Sequence, residues 1–78
     1  MYPNPASQKC IVLMQLADAA NLEVAITNYL GQVVKQQNYK AQQGMNEINV
    51  DLTTVKTGIY FVTIKNGNTV STKKLVVE

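Results

Sequence analysis

The sequence predicts an all-β domain, a small sandwich or barrel of about six short strands. Three observations carry that prediction. Apolar and polar residues alternate along most of the 78 residues, β-branched and aromatic residues gather in short runs, and glycine, asparagine or proline stands between the runs. No helical period is sustained.

The first strand is Lys9 to Leu16. It is apolar at both parities from Cys10 to Met14, as expected when one face meets the core and the other meets something else. A helix over Ser7 to Leu22 has acceptable spacing at Leu13, Leu16 and Ala20, but the continuous apolar run favours a strand. In Leu22 to Thr27, Leu22, Val24 and Ile26 share one side while Glu23 and Thr27 take the other. Val33 to Tyr39 follows Leu30-Gly31, whose glycine accepts the positive φ of a tight reversal, so these two segments form a hairpin. Next, Ile48, Val50 and Leu52 alternate with Glu47, Asn49 and Asp51, which puts the first three in the core, and Gly44 bounds this strand. Gly58 to Lys65 is the clearest strand, with Tyr60, Val62 and Ile64 inward, and Asn66-Gly67 favours a type I′ turn. In Thr69 to Val77, Val70 and Thr72 share one parity and Leu75 and Val77 the other. A β-bulge near Thr72 to Lys74 would reconcile them. Ala17 to Asn21, Ala41 to Gln43 and Thr53 to Thr57 are the longer connections. Pro3 and Pro5 stiffen Tyr2-Pro3-Asn4-Pro5 into an extended lead-in.

Composition narrows the function. A chain of this length holds one core and buries only ~60–65% of the surface it exposes unfolded. At 46% hydrophobic and 15% charged it is too apolar for a disordered tail, and its apolar residues never form a spanning run, so no membrane insertion is expected. The net charge of +2 comes from lysines scattered singly apart from Lys73-Lys74, with no arginine, which gives nucleic-acid binding no basic stripe or guanidinium fork. Histidine is absent and Cys10 stands alone, so the commonest general base, the commonest metal ligand and any internal disulfide are missing. No catalytic, cofactor or metal residue is assigned. Cys10 reads as a buried small hydrophobe, and Asp51 and Glu47, which share a parity, read as solvent-facing charges. Tyr60 reads as a core aromatic whose hydroxyl reaches a polar edge, and Gly31 and Gly58 as turn and strand-start glycines without partner contact.

The motifs Tyr2-Pro3-Asn4-Pro5-Ala6, Ile26 to Val34, Gly58-Ile59-Tyr60-Phe61-Val62 and Lys73-Lys74-Leu75-Val76-Val77 resemble, in order and spacing, the C-terminal sorting domain of the type IX secretion system. The resemblance covers essentially the whole chain. Gln8 departs from it where an acidic residue is common, Cys10 where an aliphatic is usual, and the chain closes on Glu78 rather than on a base. The resemblance implies a small immunoglobulin-like antiparallel β-sandwich of about six to eight short strands, with residues 1–7 as lead-in and 8–78 as sandwich. It implies the last domain of a larger secreted protein whose leader lies elsewhere, and Met1 then marks a cloning start. The chain would be an address rather than a catalyst, with no cofactor. Its expected partners are the parent cargo, the type IX translocon, an outer-membrane shuttle and a sortase-like peptidase, on a route through the periplasm to the cell surface or the medium. Lys73, Lys74, Leu75, Val76 and Val77 are the expected recognition surface; the bland reading of the two lysines is edge protection. Free strand edges would also allow two copies to pair. The competing reading is a non-catalytic fibronectin-like binding or adhesion module within an enzyme or adhesin.

Overall fold

The structure is a computed structural model that describes residues 8–78. Six strands follow in chain order: β1 (Lys9–Leu16), β2 (Ala20–Asn28), β3 (Val33–Ala41), β4 (Gly44–Asp51), β5 (Gly58–Asn66) and β6 (Thr69–Val77). They form two separate sheets, β1-β4 and β3-β2-β5-β6, and every pairing is antiparallel. The fold is therefore a small immunoglobulin-like sandwich and not a closed barrel. Among the described residues there is no helix.

Period two decides which residues meet between the sheets. Cys10 and Val12 of β1, Ile48 and Val50 of β4, and Leu52 just beyond it pack against Leu22, Val24 and Ile26 of β2, Tyr60, Val62 and Ile64 of β5, and Leu75 and Val77 of β6. Each such side chain contributes ~1.5–3 kcal/mol when fully buried. The inward residues expected from the alternation of β2, β4 and β5 are all in this cluster.

Two local expectations need correction. The β5–β6 ladder runs without a register shift from Gly58↔Val77 to Asn66↔Thr69, so no bulge lies at Thr72 to Lys74. Val70 is instead left exposed, because the unbroken register keeps it on the outer-face parity of Lys74 and Val76, and Leu75 and Val77 reach the core from this strand. The same ladder places Gly67-Asn68, not Asn66-Gly67, at the centre of the turn. Gly67 has φ +60° and no non-glycine residue among the described ones has positive φ, which matches a type II′ turn with glycine first. A shift does occur in the β2–β3 pair, where Ile26 faces Lys35 but Thr27 faces Val33, leaving Val34 as the extra residue.

The inner face of β3 is polar, and the smaller sheet explains why. Leu52 N donates to Gln8 O at 2.8 Å, so the even-numbered residues of β1 and β4 bond each other, and the alternate backbone groups of β4 turn toward β3. Gln37 Nε2 donates to Asn49 O at 3.2 Å, and the Tyr39 hydroxyl makes a longer contact of 3.5 Å with Glu47 O. Bonds from Thr53 hold the Asp51 carboxyl below its usual range, and the charge of Lys35 adds a smaller push. Residues 35, 37 and 39 thus close one flank of the sandwich against residues 51, 49 and 47.

Candidate recognition surface

The last strand holds the residues expected to be recognised, and its parity divides them. Leu75 and Val77 are buried against the core, with Leu75 paired to Tyr60 and Val77 to Gly58. Lys73 and Lys74 are exposed and Val76 is half-buried. Consecutive residues of a strand point to opposite faces, so Lys74 and Val76 belong to the outer face while Lys73 shares the inner parity of Leu75. Lys73 indeed lines a groove with Val12 and Met14 of β1 and Val62 of β5. The run therefore presents two cations on two faces of one strand, anchored by two core residues.

Behind the strand stands Tyr60, 8% exposed, whose hydroxyl donates to Lys56 O at 2.7 Å. A tyrosine near the start of a strand reaching back to upstream backbone is the tyrosine corner of immunoglobulin-like sandwiches. The hydroxyl lets an otherwise buried ring finish at a satisfied polar edge. Gly58 belongs to the same arrangement, because a Cβ built there comes within 3.4 Å of the Tyr60 ring.

The Ile26 to Val34 segment folds into the β2–β3 turn, held by Asn28. Its Oδ1 accepts from Leu30 N and Gln32 N, both at 3.0 Å, and its Nδ2 donates to Gln32 Oε1 at 2.9 Å. Gly31, at φ +85°, completes the reversal. Tyr29 and Leu30, 77% and 68% exposed, are displayed at its tip. Sequence reasoning assigned only Gly31 here. The available signal was an asparagine three residues before a glycine, since Asx side chains bond backbone N–H groups just downstream.

Asn46 was missed as well. It is buried on β4, where its Oδ1 accepts from Gln42 N at 2.9 Å and its Nδ2 donates to Gln42 O at 2.8 Å and Gly44 O at 3.2 Å. That network fixes the β3–β4 turn.

Cys10 is fully buried, and burial pushes its thiol above the ordinary value, which fits a packing role. Of the aromatic side chains among the described residues, Tyr29 is exposed, Tyr39 and Phe61 are half-buried and Tyr60 is buried. The expectations placed on Tyr2, Pro3, Asn4 and Pro5 lie outside the described residues.

The family comparison bears on all of these motifs together. A model of the Secretion system C-terminal sorting domain family matches residues 1–78, the whole chain. The chain belongs to that family. It is thus a type IX sorting domain, a cargo signal for the secretion machinery that implies secretion to the cell surface or extracellular space. Sorting domains of this family are non-catalytic. Searches of the curated proteins and of the solved structures found no significant match.

Proposed function

We propose that this sorting domain directs its cargo from the periplasm through the outer-membrane type IX translocon, and that β6 is the strand the machinery reads. The observation that supports β6 is its divided parity. Leu75 and Val77 fix the strand to the core, while Lys73 and Lys74 hold two ammonium groups at its surface on opposite sides. A receptor can read a strand through its alternate side chains, and Lys73 and Lys74 are exposed ones that this strand supplies. On this reading an outer-membrane shuttle engages the folded sandwich, and a sortase-like peptidase removes it after passage, leaving the cargo attached or released.

Deleting residues 73–78 is a poor test, because it also removes Leu75 and Val77 from the core. Reversing charge at both lysines, Lys73→Glu with Lys74→Glu, leaves the core intact. A cargo bearing the doubly reversed domain is expected to accumulate in the periplasm while its domain melts close to the unmodified temperature. Surface display at the unmodified level by a folded double variant would rule the lysines out.

A further inference from the structure

Sheet edges invite pairing, and among the described residues three of the four strands at the sheet margins carry a device against it. The edge of β4 is covered by Gln37 and Tyr39, which take up Asn49 O and Glu47 O. That of β3 is bent by the extra residue Val34 and flanked by Lys35. The β6 edge carries Lys73 on its inner parity, an inward charge that a pairing strand would have to cover. The edge of β1 carries only Lys9, at its first position, and from Cys10 to Gln15 it holds no charge.

The same alternation that turns Glu47 O and Asn49 O toward β3 turns the backbone groups of Lys9, Ile11, Leu13 and Gln15 to the open side of β1. Among the described residues β1 has one neighbour, β4. Leu13 is 49% exposed on the outer face. Along the open side runs a groove of about 120 Å³ lined by Val12 and Met14 of β1, Val62 of β5, and Ser71 and Lys73 of β6. That is well below the ~300 Å³ at which small-molecule sites begin, but suits single side chains. Among the described residues, the only charge on its lining is the Lys73 ammonium.

We propose that β1 is a strand acceptor for an extended segment of a protein partner, one that pairs with the open backbone groups and sets a carboxylate side chain in the groove against Lys73. The alternate side chains of that segment are apolar and lie beside Ile11 and Leu13. Charge decides the occupant. A second copy pairing through β1 about a two-fold axis would bring both copies' Lys73 to the same flank with no carboxylate on the groove lining to separate them, whereas an acidic strand offsets that charge. The inference rests on the geometry of β1 and shares only Lys73 with the export reading.

Selection of a phage-displayed library of random heptapeptides on the immobilised chain tests it, followed by amide hydrogen exchange with a selected peptide made synthetically. Enriched peptides are expected to alternate apolar residues with an acidic residue held to one parity. The Ile11 and Leu13 amides are expected to exchange fast in the free chain and to slow on binding. Leu13→Pro removes one outward N–H, which an edge strand tolerates, and should abolish binding; Leu13→Lys serves the same purpose if the proline variant does not fold. Lys73→Gln should weaken binding roughly two- to fivefold, as expected for a partly exposed charge pair. The proposal is overturned by the absence of enrichment, by enriched peptides without an acid, by protection elsewhere, or by folded Leu13 variants that still bind. Dimerisation that protects the same amides without peptide would overturn it too.

Discussion

The Tyr60 hydroxyl donates to the Lys56 carbonyl at 2.7 Å, so the largest ring of the core is tied to the loop before its own strand. Tyr60→Phe keeps the ring and loses the bond, and should cost ~0.5–1.5 kcal/mol in a urea melt followed by circular dichroism. Tyr60→Ala should cost ~3–5 kcal/mol, comparable to the ~3–5 kcal/mol a core of this size supplies, and leave the domain largely unfolded. An alanine variant that melts like the parent would show that the ring is not part of the core.

Asn46 satisfies three backbone groups from a buried position. Asn46→Ala should therefore destabilise by ~1–3 kcal/mol, the cost of leaving part-buried backbone groups unmatched. Asn28→Ala, at an exposed turn where water can substitute, should cost less in the same urea melts. Equal losses would mean that burial does not set the difference.

Gly44 and Gly58 separate two uses of glycine. Gly44 has φ +97° with open space around it, so Gly44→Ala is opposed by backbone strain alone, ~1–2 kcal/mol. Gly58 lies outside the left-handed region and an added Cβ meets only the Tyr60 ring at 3.4 Å, an ordinary contact. Gly58→Ala should be the milder change, and the reverse ranking of melting temperatures would contradict this assignment.

Two groups give the domain a pH dependence at opposite ends. Thr53 N donates to Asp51 Oδ1 at 3.0 Å, and bonds from Thr53, with a smaller effect of Lys35, hold the carboxyl below its usual 3.8. A pKa lowered by folding adds stability above 3.8 that is lost as pH falls through the folded value, and Asp51→Asn should flatten that acid limb. Cys10 behaves oppositely. Burial raises its thiol above 9.0, so its contribution is complete below that pH and is lost as pH climbs through the folded value. A thiol reagent should label Cys10 only as fast as the fold opens; instant labelling of the native domain would place the thiol at the surface.

Strand positions and most of the core were legible because alternation is a local property: Leu22, Val24 and Ile26, or Tyr60, Val62 and Ile64, declare their face without reference to a neighbour. What depends on pairing was not. The continuous β5–β6 register overruled the bulge that the parity of Val70 suggested, and the same register moved the turn one residue onward to Gly67-Asn68. Nor does a sequence show which sheet a strand joins, so the inward polar set Lys35, Gln37 and Tyr39 made sense only once β4 lay beside it. The Lys73 to Val77 run was visible as a motif, but the division of its residues between core and surface needed the partner strand.

The central claim, that these residues are an address for secretion, is met most directly by fusing residues 1–78 to a fluorescent protein with an inner-membrane leader and measuring protease-accessible fluorescence on intact cells. Fluorescence should reach the exterior only when both the domain and a working type IX translocon are present. An equal exterior fraction without the domain, or in a strain lacking the translocon, would contradict it.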